Sequence, residues 1–225
     1  MPRSPSAPPS VQYVAPFAVF LALLALHSVL PLPDLADQIL RIAVVAAAIL
    51  WFSSGVLDFR APHWFASVLL GAAVFALWIA PDLLFPNYRH FWLFNNPVTG
   101  SIHSSLSPAA HGDSTVLALR TLRAVVIVPI VEELFWRAWL MRWLISPHFQ
   151  KLPLGAYTAA SFWIVAALFA SEHGPYWDVG LITGIIYNYW MVRTKNLGDL
   201  ILTHAVTNAC LSAYVIGAGK WEYWL

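Results

Sequence analysis

Two carboxylates stand side by side in an apolar run. Glu132 and Glu133 follow Val125-Val126-Ile127-Val128-Pro129-Ile130-Val131, and Arg137 lies one helical turn further on. An ionisable side chain in a membrane span costs about 2.5–3.5 kcal/mol on insertion scales, so three kept together mark a site. Phe169 and His173 are four residues apart on a second apolar run, and His204 and Asn208 repeat that spacing on a third, which puts each pair on one helix face. Two carboxylates, two imidazoles and an amide are the parts needed to add water to a carbonyl. A carboxylate shielded from bulk water can take the proton of an attacking water. An imidazole can orient that water or share its proton, and an amide with a second imidazole can donate hydrogen bonds to a developing oxyanion. The chemistry this set suits is hydrolysis of an amide or ester. No Ser or Cys stands beside an evident base, and Cys210 lies on a different face from Asn208, which argues against a covalent nucleophile.

The two glutamates need separate roles, because neighbours on a helix point about 100° apart. Glu133 and Arg137 have the favourable i, i+4 order for an ion pair, which leaves Glu132 as the base. His27, His63, His90, His103, His111 and His148 fall near helix ends or in loops and read as interfacial or solvated. Glu172, beside His173, could orient it but reads rather as facing the headgroups.

The elements that must carry these groups follow from the hydrophobic runs. Spans are expected at 11–30, 38–57, 63–80, 115–145, 154–171, 179–193 and 197–217. The fold class is all-α: a polytopic transmembrane helix bundle of seven or eight spans, one membrane domain over 11–225, after a Pro/Ser-rich tail at 1–10 expected to be disordered. The motif region covers 115–217. A helix over 115–145 would be about 46 Å long, and Pro129 predicts a kink in it. Residues 81–114, with their Pro and Gly breaks and the patch Phe91-Trp92-Leu93-Phe94, read as an interfacial or re-entrant segment that could lie over the site.

Composition narrows the classes. Of 225 residues, 60% are hydrophobic and 10% charged, against about 25% charged in soluble domains. The net charge of +1 offers no basic stripe for a nucleic-acid partner. The single Cys210 allows no internal disulfide or Cys-based metal cluster. Twelve Trp and eight Tyr suit the aromatic belts at headgroup depth. Arg142, Lys151, Arg193 and Lys195 follow the fourth and sixth spans, which puts the amino terminus in the cytoplasm. Arg41, Arg89, Arg120 and Arg123 count against that orientation.

In this order, Glu132-Glu133-x-x-x-Arg137, Phe169-x-x-x-His173 and His204-x-x-x-Asn208 resemble the three signature motifs of the CAAX protease and bacteriocin-processing family (CPBP or Abi), which includes the type II CAAX prenyl endopeptidases. The stretch Glu132–Leu144 is similar to a bacterial subgroup found with exosortase-type protein-sorting systems. The resemblance implies an intramembrane glutamate-dependent protease, commonly of eight spans, in a bacterial inner membrane. By motif position it makes Glu132 the water-activating base, His173 its helper, and His204 with Asn208 the oxyanion site. Glu133, Arg137 and Phe169 support them. The implied substrate is a membrane-associated or lipidated protein or peptide that enters from the bilayer, with protein-sorting partners. No cofactor is expected. Two His and two Glu could ligate a divalent metal, but the His-Glu-x-x-His helix of common zinc proteases is absent, and a metal-free mechanism is favoured.

One feature opposes convergence. With upright helices, His173 at the end of the fifth span and His204 early in the seventh would stand about 15 Å apart along the membrane normal. Tilt, an offset fifth helix or a short sixth would be needed. Two rival readings remain: a non-catalytic scaffold or bacteriocin-immunity protein of the same fold, and a proton-coupled transporter, which would be expected to show inverted halves.

Overall fold

The computed structural model describes residues 8–30 and 32–224, save the side chains of His27 and Ser28. Most of the expected disordered tail therefore lies outside the described residues. Its last residue, Ser10, is ordered: it precedes the first helix and accepts a hydrogen bond from Trp139 Nε1 at 3.1 Å. Among the described residues seven helices carry the fold and no strand forms. They are α1 (Val11–Val29), α2 (Asp34–Ser53), α3 (Trp64–Leu84), α4 (Ser114–Trp143), α5 (Ala159–Ser171), α6 (Trp177–Thr194) and α7 (Leu197–Ala218).

Helices α2, α3, α4 and α7 are long and apolar enough to cross a membrane, and Val11–Leu26 and α5 are shorter apolar helices. Large side chains such as Leu50, Trp51, Trp64, Phe65, Leu69 and Trp163 are exposed on the outer faces, as a lipid-facing surface requires.

The boundaries differ from the hydrophobic runs where polar groups begin a helix. α2 starts four residues early, at Asp34. Asp34 and Asp37 sit in its first turn, where the helix dipole favours negative charge. α5 starts five residues late. Gly155 takes a positive φ of 78°, and Thr158 with Ser161 forms a capping box that begins the helix at Ala159. Its 13 residues reach about 20 Å, short of the roughly 30 Å hydrocarbon layer.

Residues 85–113 form no eighth span. They run through bends and two short 3₁₀ turns, Tyr88–His90 and Pro108–Gly112. Arg89 pins this segment: its guanidinium donates to Asp82, to Asp178 and to the carbonyl of Pro175. Phe91, Trp92 and Val98 point outward, which fits the interfacial expectation.

α3 packs along α7, α5 along α6 and α1 along α2, while α4 runs between α1, α2 and α7. Asp199, fully buried at the start of α7, ties α3 to it by accepting from the backbone N and from Nδ1 of His63, both at 2.8 Å. His63 is thus a fastener between helices, while its side chain stays 54% exposed, as the interfacial reading expects.

Pro129 does not break α4. The helix meets it with a wide turn over Arg123–Ile127, in which Val128 N donates to the carbonyl of Arg123, five residues back. In that register the next carbonyl, Ala124, would pair with position 129, and proline has no N–H to give. A second wide turn spans Leu134–Leu140.

Candidate active site

Glu132, His173, His204 and Asn208 all line one cavity of about 250 Å³, together with Phe169 and Glu172. α4 supplies Glu132, the turn between α5 and α6 supplies His173, and α7 supplies His204 and Asn208. The expected separation of the histidines does not arise. α5 is short and offset, and His173 lies just past its end, at the start of the 3₁₀ turn Gly174–Tyr176. Its ring packs on Phe169 with centroids 4.6 Å apart, and Phe169 lies 6.4 Å from the His204 ring. Gly184 lets α6 approach this closely: an added Cβ would come 3.1 Å from the Ala166 carbonyl oxygen and 3.3 Å from Phe169.

One turn earlier, a Cβ at Gly180 would stand 3.2 Å from His173 ring atoms. Gly180→Ala should therefore displace the imidazole by a few tenths of an ångström without opening the core. Misplacement of about 1 Å can cost 10²-fold, so a loss of about tenfold in rate is expected, with thermal stability retained. Full activity in this variant would show that the placement of His173 is not critical.

Glu132 is buried, and its Oε2 has no hydrogen-bond partner among the described residues. Glu133 faces the other way and is fully buried, and both its oxygens accept from Arg137 Nη1 at 3.1 Å. The i, i+4 ion pair read from the spacing is present. Glu133 has a second partner that spacing within one helix cannot reveal: His204 Nδ1 lies 2.8 Å from its Oε1. An ionised carboxylate only accepts, so this Nδ1 carries a proton, and Nε2 is left for the cavity. His173 is fixed in the same way, with Nδ1 2.7 Å from the Phe169 carbonyl oxygen. That carbonyl also only accepts, so Nδ1 is the donor and Nε2 of the neutral ring keeps its lone pair. Trp78 of α3, held by a hydrogen bond to Thr183, packs on this imidazole with ring centroids 5.3 Å apart.

Phe169 acts as a partition. The Arg137 guanidinium carbon lies 4.2 Å from its ring centroid, and the His173 ring packs against it as well. The cation is thereby kept out of the cavity, where it would compete for the charge that Glu132 carries.

Asn208 uses one amide hydrogen on the backbone. Its Nδ2 donates to the Ala124 carbonyl at 2.8 Å, the acceptor that Pro129 leaves without a partner. The second hydrogen remains for the cavity. Asn208→Leu should lower stability by about 1–3 kcal/mol, because it orphans a buried carbonyl. Thermal denaturation in detergent reads this, and an unchanged midpoint would mean that α4 satisfies Ala124 without α7.

Several groups of the site were missed from sequence. Asn188 of α6 is fully buried, accepts from Arg137 Nε at 2.9 Å and donates to the Phe162 carbonyl at 2.8 Å. An amide in an otherwise apolar stretch was the available signal. Tyr187 hydrogen-bonds Thr207 at 2.8 Å and packs on His204, ring centroids 5.2 Å apart. Glu172, expected to face headgroups, instead accepts from Trp136 Nε1 at 3.0 Å and lines the cavity. Arg120 and Arg123 had been read only as topology charges, yet both line the cavity. No three His, Cys, Asp or Glu side chains among the described residues are grouped so as to hold a metal ion. Nδ1 of each site histidine is already engaged, with the Phe169 carbonyl in His173 and with Glu133 in His204.

No curated protein and no solved structure matches the chain. Residues 114–210 match a family described as type II CAAX prenyl endopeptidase Rce1-like. The matched segment, a little under half of the chain, begins with α4 and ends within α7. It includes every motif residue from Glu132 to Asn208, and the family is one of proteases. With four helices fit to cross a membrane, the chain is an integral membrane protein whose site-carrying segment is similar to the Rce1-like family of type II CAAX prenyl endopeptidases.

Proposed function

We propose that the chain is an intramembrane glutamate-dependent endopeptidase, hydrolysing a peptide bond of a membrane-associated or lipidated protein by base-activated water. The observation that carries this reading is the convergence of Glu132, His173, His204 and Asn208 on one cavity among apolar helices, with Glu132 Oε2 unpaired among the described residues. Glu132 takes a proton from water as the water oxygen adds to the carbonyl carbon. His173 offers its Nε2 lone pair to the same water. Negative charge gathers on the former carbonyl oxygen, where it meets the second N–H of Asn208 and Nε2–H of His204 in its imidazolium form, steadied by Glu133. Glu132 then passes the proton to the leaving nitrogen as the C–N bond breaks. A carboxylic acid and an amine leave, and the Glu132 carboxylate is regenerated.

Leu21 and Leu24 of α1 both line the cavity and are about two-fifths exposed on the outer surface, 43% and 40%. This supports entry of an apolar segment sideways from the lipid. The reading places the chain in a bacterial inner membrane with its amino terminus in the cytoplasm. The arginines that opposed that orientation, Arg41, Arg89, Arg120 and Arg123, are buried within the protein, so they are not loop charges. Arg142 is buried too. With the seven helices taken as alternating crossings, exposed Arg60, Lys151, Arg193 and Lys195 fall on one side and Lys220 on the other, which supports the orientation.

The test compares membrane-protein amino and carboxyl termini in cells carrying the wild type, Glu132→Gln and His204→Ala. At least one protein should lose the same cleavage in both variants. Identical termini in all three strains would favour the scaffold or immunity reading.

A further inference from the structure

The cavity holds a cation that the reaction above does not use. Arg123 is 4% exposed and lines the same cavity as Glu132. Its Nε and Nη1 have no hydrogen-bond partner among the described residues. Asp37, a carboxylate whose charge reaches Arg123, is already paired with Arg41 at 2.9 Å, and Arg41 and Arg120 add like charge nearby. A buried cation so placed is costly, and an anion at its unbonded N–H groups would relieve that cost.

The backbone turns Arg123 toward the site. On an unbroken α-helix, positions 123 and 132 would lie about 180° apart. The wide turn over Arg123–Ile127 holds more residues per turn and retards the rotation, so both side chains line one space. Along α4 they remain about 13 Å apart, which an extended peptide covers in roughly four residues. Arg123 also lies nine positions inside α4, about 13 Å from its start at Ser114. That depth suits a peptide drawn into the cavity better than a lipid phosphate at the membrane surface.

We propose that Arg123 binds a carboxylate of the peptide substrate, within about four residues of the bond that Glu132 attacks. The identity of the ligand rests on the hydrolase reading. A guanidinium presents its N–H groups in a plane matched to a carboxylate, and such an anchor sets the distance from the anion to the cut. The carboxylate is either the chain terminus of the substrate or an acidic side chain.

The experiment uses full-length Glu132→Gln protein, which binds without turnover, in nanodiscs of neutral lipid. The probes are dye-labelled apolar hexapeptides of one sequence, ending in a free carboxylate, ending in an amide, or ending in an amide with one internal Asp; binding is read by anisotropy. The free acid should bind at least tenfold more tightly than the plain amide. This preference should vanish on adding Arg123→Gln and survive in part with Arg123→Lys, which also guards against a misfolded variant. Tight, Arg123-dependent binding of the internal-Asp peptide supports the site and assigns it to an acidic side chain. Equal binding of acid and amide, or a preference that persists without Arg123, overturns the proposal. So does phosphatidylglycerol in the nanodisc protecting Arg123-containing protein against unfolding while no peptide shows a preference. Because binding is read without catalysis, acid binding with no cleavage by the wild type would sink the hydrolase reading alone, and cleavage with no acid preference would sink this one alone.

Discussion

Glu132→Gln is expected to remove processing by about 10²–10⁴-fold, the usual contribution of a positioned general base, and to leave the protein folded. Among the described residues the carboxylate makes no ion pair and its Oε2 is unpartnered, so an amide of the same shape breaks no pair there. A neutral amide is also cheaper to bury than a charge. The thermal midpoint in detergent should stay level or rise. A time course of substrate conversion, with melting curves for both proteins, tests both halves. Conversion within threefold of the wild type would remove Glu132 from the chemistry, and a collapse of stability would make it a structural residue.

Its neighbour should behave in the opposite way. Glu133 and Arg137 are both fully buried, and Glu133 also holds His204 Nδ1. Glu133→Ala leaves a guanidinium uncompensated in the core, at a cost of about 3–5 kcal/mol. It also frees the His204 ring, so activity falls with stability. Replacing both partners, Glu133→Met with Arg137→Met, should recover most of the stability, since well-packed apolar side chains can substitute for a buried pair. Activity should not return, because His204 still lacks the carboxylate that orients it. A double variant with wild-type activity would reduce the pair to a packing device, and a stable Glu133→Ala would contradict the buried ion pair.

These two adjacent residues show how far sequence reading reaches here. The Glu133–Arg137 pair was legible because it is local: four residues on one helix are neighbours wherever that helix sits. The seven helices were legible for a similar reason, since runs of apolar side chains are imposed by the solvent around each segment. The motif order from Glu132 through Phe169 and His173 to His204 and Asn208 pointed to one site, and the structure lines one cavity with all five.

What lay beyond the sequence depends on how one helix is set against another. The bond from His204 to Glu133 joins residues 71 apart, and no periodicity encodes it. The apparent gap between His173 and His204 came from assuming upright spans of full length. It closes because a capping box starts α5 late and because Gly184 lets α6 draw close. Arg123 counted only as a charge bearing on orientation until the wide turn before Pro129 brought it round to the cavity. Composition and spacing thus determined which groups this protein carries and on which helices. Tertiary packing decided which carboxylate is tied and which is left free, because that depends on relative rotation and depth, which no single helix specifies.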